Sequence, residues 1–239
     1  MKIALIGYGK MGKEIEKIAV SRGHEITLRC NSSNRITATD AALAEIAIEF
    51  TKPDVAVENI RFCIENNLPI IIGTTGWYQH LRVLTAECGE KNGSMLYATN
   101  FSPGVNMFFA VNKLLARIMN SSADYKVSIE EIHHVQKKDA PSGTAITLAE
   151  QIIENSQTYN TWQNVKISES STADVIPIES HRLPDIPGTH TVMYKSEIDD
   201  IVMKHTAHNR YGFALGSILA AEWLKGKKGV FTFADVLKF

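Results

Sequence analysis

The chain has 239 residues, enough for one large domain or two smaller ones. Hydrophobic residues make up 44% and charged residues 21%, values typical of globular domains, and the formal net charge of −1 lacks the basic footprint that bulk nucleic-acid binding needs. No apolar run approaches the roughly 20 residues of a membrane-spanning helix.

Met1 leads straight into a strand-like run, Lys2 to Gly7, without a signal-peptide layout. Cys30, Cys63 and Cys88 are odd in number and far apart, which suits reduced thiols in a cytoplasm better than a disulfide frame or a zinc set. Ile3-Ala4-Leu5-Ile6 is an all-apolar run, the pattern of a buried parallel strand. Gly7-Tyr8-Gly9-Lys10-Met11-Gly12 follows at once, and a helical pattern runs from Met11 to about Ser21. This is G-x-G-x-x-G between a strand and a helix, where glycines let the backbone approach a pyrophosphate. Gly7, Gly9, Lys10, Met11 and Gly12 are therefore candidate contacts of a nicotinamide dinucleotide.

Glu25 to Arg29 reads as the second strand. Its end lacks the acid that often binds the ribose 2′-hydroxyl of NAD. Arg29 and Arg35, with Ser32 and Ser33, suit a 2′-phosphate instead, so NADPH is expected over NADH. Ile46–Phe50 is a third strand, a helix runs from Asp54 to about Asn66, and Leu68–Ile72 is a fourth strand ending in Gly73-Thr74-Thr75-Gly76. Ligands bind at the carboxyl ends of such strands, which makes Phe50, Gly73, Thr74 and Thr75 candidate lining residues. Trp77 to Lys91 looks helical, and Met95–Ala98 is a fifth strand followed by Thr99-Asn100-Phe101-Ser102-Pro103-Gly104. Val105 to Met119 reads as a helix with one apolar face made by Phe108, Val111, Leu114, Leu115 and Ile118.

Tyr125 to Ile132 is strand-like, and Thr144 to Ile153 is helix-like. Between them lie His133, His134, Lys137, Lys138, Asp139, Pro141, Ser142 and Gly143, a polar and partly cationic loop of the kind that carries catalytic groups. Ser142, Gly143 and Thr144 offer backbone N–H groups and two hydroxyls at a helix N-terminus, a setting that binds anions. With His133, His134 and Lys137 close by, the loop suits a small dicarboxylate. A metal site is not expected, because adjacent side chains on a strand point to opposite faces. Residues 155 to 190 are polar and turn-rich. Val165–Ser170, Thr189–Lys195 and Ile198–His205 alternate like strands of a mixed or antiparallel sheet. A helix spans Tyr211–Leu224, and Phe231 to Leu237 closes the pattern.

The run from Glu131 to Ala145 resembles the signature of the dihydrodipicolinate reductase family, Glu-x-His-His-x-x-Lys-x-Asp-x-Pro-Ser-Gly-Thr-Ala, with every named position present. Gly73-Thr74-Thr75-Gly76 and the stretch from Asn100 to Asn106 are similar to two further family motifs. The resemblance implies an N-terminal Rossmann-type doubly wound parallel sheet with an α+β substrate domain. Residues 1–101 and 211–239 would bind the dinucleotide, and 102–210 would bind substrate and form a homotetramer, with domain closure about a hinge near Ser102. The activity implied is NAD(P)H-dependent reduction of (2S,4S)-4-hydroxy-2,3,4,5-tetrahydrodipicolinate to 2,3,4,5-tetrahydrodipicolinate and water, in lysine synthesis through diaminopimelate. His133 would be the acid/base and Lys137 the proton donor or opposing cation, while Lys138 stays a solvated charge and Asp139 holds the loop. His134, Ser142, Gly143, Thr144 and Thr75 would hold carboxylates. Thr99, Asn100 and Phe101 would lie near the nicotinamide.

The chain departs from the family at the second strand end and in a shortened segment between residues 31 and 45, and it is short overall. An aspartate-semialdehyde dehydrogenase would need a nucleophilic cysteine, and none lies beside the loop. A non-catalytic NAD(P)-binding regulator would not need the run from His133 to Thr144.

Overall fold

A computed structural model describes residues 1–122, 124–165 and 172–238. The described residues form two compact units, residues 1–103 with 210–239 and residues 104–209. Within the described residues, no helix is long and apolar enough to cross a membrane.

The first unit is built on β1 (Lys2–Ile6), α1 (Lys10–Ser21), β2 (Glu25–Cys30), α2 (Ala38–Leu43), β3 (Ile46–Glu49), α3 (Pro53–Glu65), β4 (Ile70–Ile72), α4 (Leu81–Glu90) and β5 (Ser94–Tyr97). Its six-stranded sheet runs β11-β5-β4-β3-β1-β2, with β11 (Gly229–Thr232) contributed by the C-terminal segment. Every pairing in it is parallel. Both faces are covered, and the sequence says why. Ile3, Leu5, Ile46, Ile48 and Ile71 pack to one side with residues of α1 and the C-terminal helix, whereas Ala4, Ile6, Ala47, Ile70 and Ile72 pack to the other with α3 and α4. Unbroken apolar runs are what a sheet buried on both sides demands. Each such isoleucine withdraws enough apolar surface to favour folding by roughly 1.5–3 kcal/mol.

The second unit contains α5 (Pro103–Met119), β6 (Lys126–His133), α6 (Gly143–Ile153), β7 (Thr161–Val165), β8 (Val175–Arg182), β9 (Gly188–Lys195) and β10 (Asp200–Ala207). Its sheet runs β10-β9-β6-β8-β7 and is mixed: β6 pairs antiparallel with β9 and parallel with β8. Val127, Ile129, Ile176, Ile178, Val192 and Tyr194 of one face form a core with α5 and α6. The chain then returns to the first unit through α7 (Tyr211–Leu224), β11 and α8 (Phe233–Leu237).

The fold class matches the expectation, with local corrections. The run from Trp77 to Lys91 is one 3₁₀ turn (Tyr78–His80) followed by α4, not a single helix; the Trp77 ring is fully buried and donates to the Thr74 carbonyl. α5 begins at Pro103, two residues early, as suits a proline in a first turn. The apolar face expected on α5 holds only for Phe108, which is buried, and Leu115, which packs against the core. Val111, Leu114 and Ile118 are exposed, together with Met107, and the helix buries Val105, Phe108, Phe109, Asn112, Ala116 and Met119 instead. β7, β8 and α2 were not anticipated. The strand expected over Val165–Ser170 lies, beyond Val165, outside the described residues.

Candidate active site and cofactor cleft

In the second unit, period-two alternation along β6 turns Glu131 and His133 to the same buried face. Register sets their neighbours: Glu131 faces His190 on β9, and His133 faces Arg182 on β8. The Glu131 carboxylate is fully buried. Its Oε1 accepts from the Ser142 backbone N–H at 3.1 Å and from Arg182 Nη2 at 3.0 Å. Its Oε2 lies 2.9 Å from His133 Nδ1 and 3.9 Å from His190 Nε2. Burial pushes the Glu131 pKa up, but the contacts from His133 and Ser142 outweigh it and hold the carboxyl well below the usual range. Glu131 is therefore ionised, and Arg182 opposes its charge. Burial, helped by the nearby His133, pushes the His190 pKa down to about 3, so that ring is neutral.

Beyond His133 the chain turns, with the Lys137 N–H bonded to the His134 carbonyl. Arg182 clamps this turn by donating to the carbonyls of Lys137 at 3.3 Å and Asp139 at 2.5 Å. The Lys137 ammonium pairs with the Asp139 carboxylate at 2.7 Å, and Lys138 is exposed. Ser142 is the N-cap of α6; its Oγ accepts from the Ala145 N–H at 3.2 Å and contacts His190 Nε2 at 3.1 Å. The Ser142 N–H, expected to be open to a ligand, is thus committed to Glu131. Gly143 is exposed with nothing within 4 Å of where a Cβ would stand, so a ligand can approach its backbone closely. Thr144 is buried in the first turn. The structure accordingly gathers His133, His134, Lys137, Ser142, Gly143 and Thr144 around the end of β6 and the start of α6. Thr75 belongs to the first unit and is exposed there.

Glu131, His133 and His190 each bring a potential metal-ligand atom within 4.8 Å of the others. A tetrahedral zinc with bonds of about 2.0–2.1 Å needs about 3.3 Å between ligand atoms. The 2.9 Å between Glu131 and His133 is shorter than that and does not suit a tetrahedral zinc.

In the first unit, β1 and β3 flank the point where strand order reverses, the usual ligand position in such sheets. A cleft of about 470 Å³ opens there, lined by Gly7, Tyr8, Gly9, Ser32, Asn34, Arg35, Thr51 and Asn59 among others. Gly7 has φ +102°, and a Cβ on it would lie 2.0 Å from the Phe50 carbonyl oxygen; a Cβ on Gly12 would lie 2.3 Å from the Gly7 oxygen. Gly9, the N-cap of α1, has no side-chain cap and open space around it. Lys10 and Met11 form the first turn of α1, whose amides point at the cleft end of β1. Such a glycine-lined helix terminus fits a pyrophosphate.

Ser32 and Arg35 line the cleft, and Arg35 also pairs with Glu58 at 2.5 Å. Arg29 has a different partner from the one expected. It is bonded to Glu16 of α1, which also accepts from Tyr8 Oη, and its guanidinium lies 5.9 Å over the Tyr8 ring. Phe50 packs against Phe101 at a ring separation of 6.1 Å, and a Cβ on Gly73 would lie 2.1 Å from the Phe50 ring. Thr74 Oγ1 accepts from the Thr51 N–H at 2.7 Å, and Asn100 Oδ1 accepts from the Ser102 N–H at 2.8 Å. Thr99 is exposed. All three cysteines are buried, and burial raises each thiol pKa, which removes them as nucleophiles.

A doubly wound dinucleotide-type sheet, joined to a second unit that presents a His-Glu-Arg cluster beside the first turn of α6, defines a nicotinamide-dependent oxidoreductase. The chain belongs to the dihydrodipicolinate reductase family: profiles described as that enzyme's N-terminus and C-terminus match residues 1–101 and 104–237. It is 46% identical over 237 residues to a 4-hydroxy-tetrahydrodipicolinate reductase of Christiangramia forsetii, covering 99% of this chain and 98% of that one. A reductase of the same name from Neisseria gonorrhoeae is 34% identical over 83% of this chain and 75% of its own. In structure the chain is similar to a dipicolinate-bound dihydrodipicolinate reductase from Paenisporosarcina sp. TG-14, with TM-score 0.74, 23% identity and 98% of each chain covered.

Glu131, Arg182 and His190 were not singled out for a role by the sequence. Glu131 carried a usable signal, two residues before His133 on one strand face. Arg182 and His190 carried none until strand register placed them.

Proposed function

We propose that the chain reduces (2S,4S)-4-hydroxy-2,3,4,5-tetrahydrodipicolinate to 2,3,4,5-tetrahydrodipicolinate and water, in a diaminopimelate route to lysine. The observation that carries this reading is the cluster at the end of β6, complete at every family signature position, in a chain that belongs to the family end to end. A reduced nicotinamide supplies the hydride, which goes to ring C4. The chain's own residues do the rest. Loss of the C4 hydroxyl with a C5 proton, acidified by the adjacent N1=C6 imine, releases water and leaves C4=C5 conjugated with that imine; hydride then adds at C4 and C5 takes a proton. His133 moves these protons, a task for which imidazole suits neutral pH. Lys137 opposes charge on the ring nitrogen, and His134, Gly143, Thr144, Ser142 and Thr75 anchor the two carboxylates. Lys137→Ala therefore lowers kcat/KM far more than Lys138→Ala; equal losses would remove Lys137 from the mechanism.

Gly7, Gly9, Lys10, Met11 and Gly12 would hold the pyrophosphate, and Phe50, Gly73, Thr74, Thr75, Thr99, Asn100 and Phe101 the nicotinamide end. Ser32 and Arg35 favour NADPH over NADH, with Arg29 held in reserve by Glu16. A kcat/KM ratio favouring NADH would overturn this preference. Assembly as a homotetramer through the second unit's sheet fits its exposed edge strand, where Ile201 and Val202 are both solvent-facing. Light scattering that gave the mass of a single chain would refute it. A cytoplasmic setting fits the reduced, buried cysteines, and oxidised thiols in protein isolated from cells would count against it.

The direct test is NADPH oxidation by the purified chain supplied with dihydrodipicolinate synthase, pyruvate and aspartate semialdehyde. Turnover that requires all three supports the reading. Cofactor binding without turnover would mark a regulator instead.

A further inference from the structure

Glu131 sits at the meeting point of every element around the proposed acid/base. Its two oxygens divide the work. Oε1 takes the Ser142 N–H and Arg182 Nη2, and so ties the start of α6 and the Arg182-clamped turn that carries Lys137. Oε2 lies 2.9 Å from His133 Nδ1, and Ser180 is a further hydrogen-bonding side chain at the carboxylate. An ionised carboxylate only accepts, so the imidazole nitrogen facing it must carry hydrogen. The opposite nitrogen, Nε2, lies beside Gly188, where even a Cβ would come within 3.0 Å of it. A residue with a side chain at 188 would cover that nitrogen, and glycine leaves it open.

We propose that Glu131 is a positioning residue that fixes the Nδ1–H tautomer of His133 and thereby assigns proton transfer to Nε2. The inference rests on the reading of His133 as the acid/base. It gives the buried Glu131 a purpose beyond neutralising Arg182. It also fits the placing of Arg182 on Oε1, with His190 Nε2 no nearer to Oε2 than 3.9 Å. The logic is that of a carboxylate that orients a catalytic imidazole without itself taking the proton.

Glu131→Gln separates the two oxygens. The glutamine carbonyl can keep the Ser142 and Arg182 bonds, while its amide presents N–H to Nδ1 and forces the proton of neutral His133 onto Nε2. The expected result is a fall in kcat of about 10²–10⁴-fold, the size of a tautomer error in such an arrangement. Affinity for pyridine-2,6-dicarboxylate should change by less than about threefold, since the anion-binding turn keeps its tether; a merely structural role would weaken both together. Nitrogen-15 histidine spectra give the second readout, with His133→Asn used to assign the signal. The wild-type chain should show His133 as the Nδ1–H tautomer and Glu131→Gln as Nε2–H. A wild-type Nε2–H tautomer overturns the inference even if the variant fails to fold, and so does a Glu131→Gln enzyme with kcat within about threefold of wild type while His133→Asn is inactive. If His133→Asn itself keeps full turnover, the acid/base reading fails, and the tautomer found in the spectra still stands or falls by itself.

Discussion

Burial keeps His190 neutral, which makes the stability of the fold depend on pH. Its folded pKa is pushed down to about 3 from an unfolded value near 6.5. Between these values the unfolded chain binds a proton that the folded chain refuses, so stability falls as pH drops through this window and rises toward neutrality. The limiting slope is about 1.4 kcal/mol per pH unit for one such group. Glu131 acts in the same direction but lower down: its folded pKa is depressed, so its contribution is present above the ordinary carboxyl range and is lost only in stronger acid. Denaturant melts of wild type and His190→Gln from pH 7 to pH 4.5 should separate the two. The variant is expected to show a shallower loss of stability across that interval. Parallel curves would mean that His190 is protonated in the folded protein.

Residue neighbours were legible in proportion to how close they lie in sequence. His133, Lys137 and the Ser142–Thr144 turn follow one another in sequence, and the structure gathers them at one strand end. Arg182 and His190 reach the cluster through strand pairing across about fifty residues, which no local pattern encodes. Arg29 shows the converse problem: its charge was readable, but its partner Glu16 lies on another element.

At the scale of elements, strand ends depend on a few close approaches. Gly7 is the sharpest, with φ +102° and no room for a Cβ against the Phe50 carbonyl. Gly7→Ala should push the β1–α1 turn away from the end of β3 and raise the KM for NADPH at least about tenfold, with a stability loss of more than about 1 kcal/mol. An unchanged KM would place the pyrophosphate elsewhere. The buried strands of the first unit were readable because both their faces are apolar. α5 was not, because it is apolar on two sides. Its stripe of Met107, Val111, Leu114 and Ile118 has the same helical spacing as a core face, and periodicity cannot say which of two such faces packs on a sheet. β8 escaped notice because Pro177 interrupts it and only Ile176 and Ile178 alternate as buried residues.

At the scale of the whole molecule, the fold class and the family were both legible, the first from strand–glycine–helix order and the second from one dense run of polar residues. In the proposed reaction the two units would supply different halves: a glycine-lined cleft for the hydride carrier, and a cation-rich turn for a small dianion. The central claim is that the dianion is gripped at the end of β6 and the first turn of α6. The most direct measurement is a crystal structure of this chain with NADPH and pyridine-2,6-dicarboxylate. The account predicts one carboxylate against the backbone of Gly143 and Thr144, with His133 Nε2 turned toward the ring and Lys137 drawn from Asp139 to the ligand. Dicarboxylate bound away from residues 133–144, with this turn left empty, would contradict it.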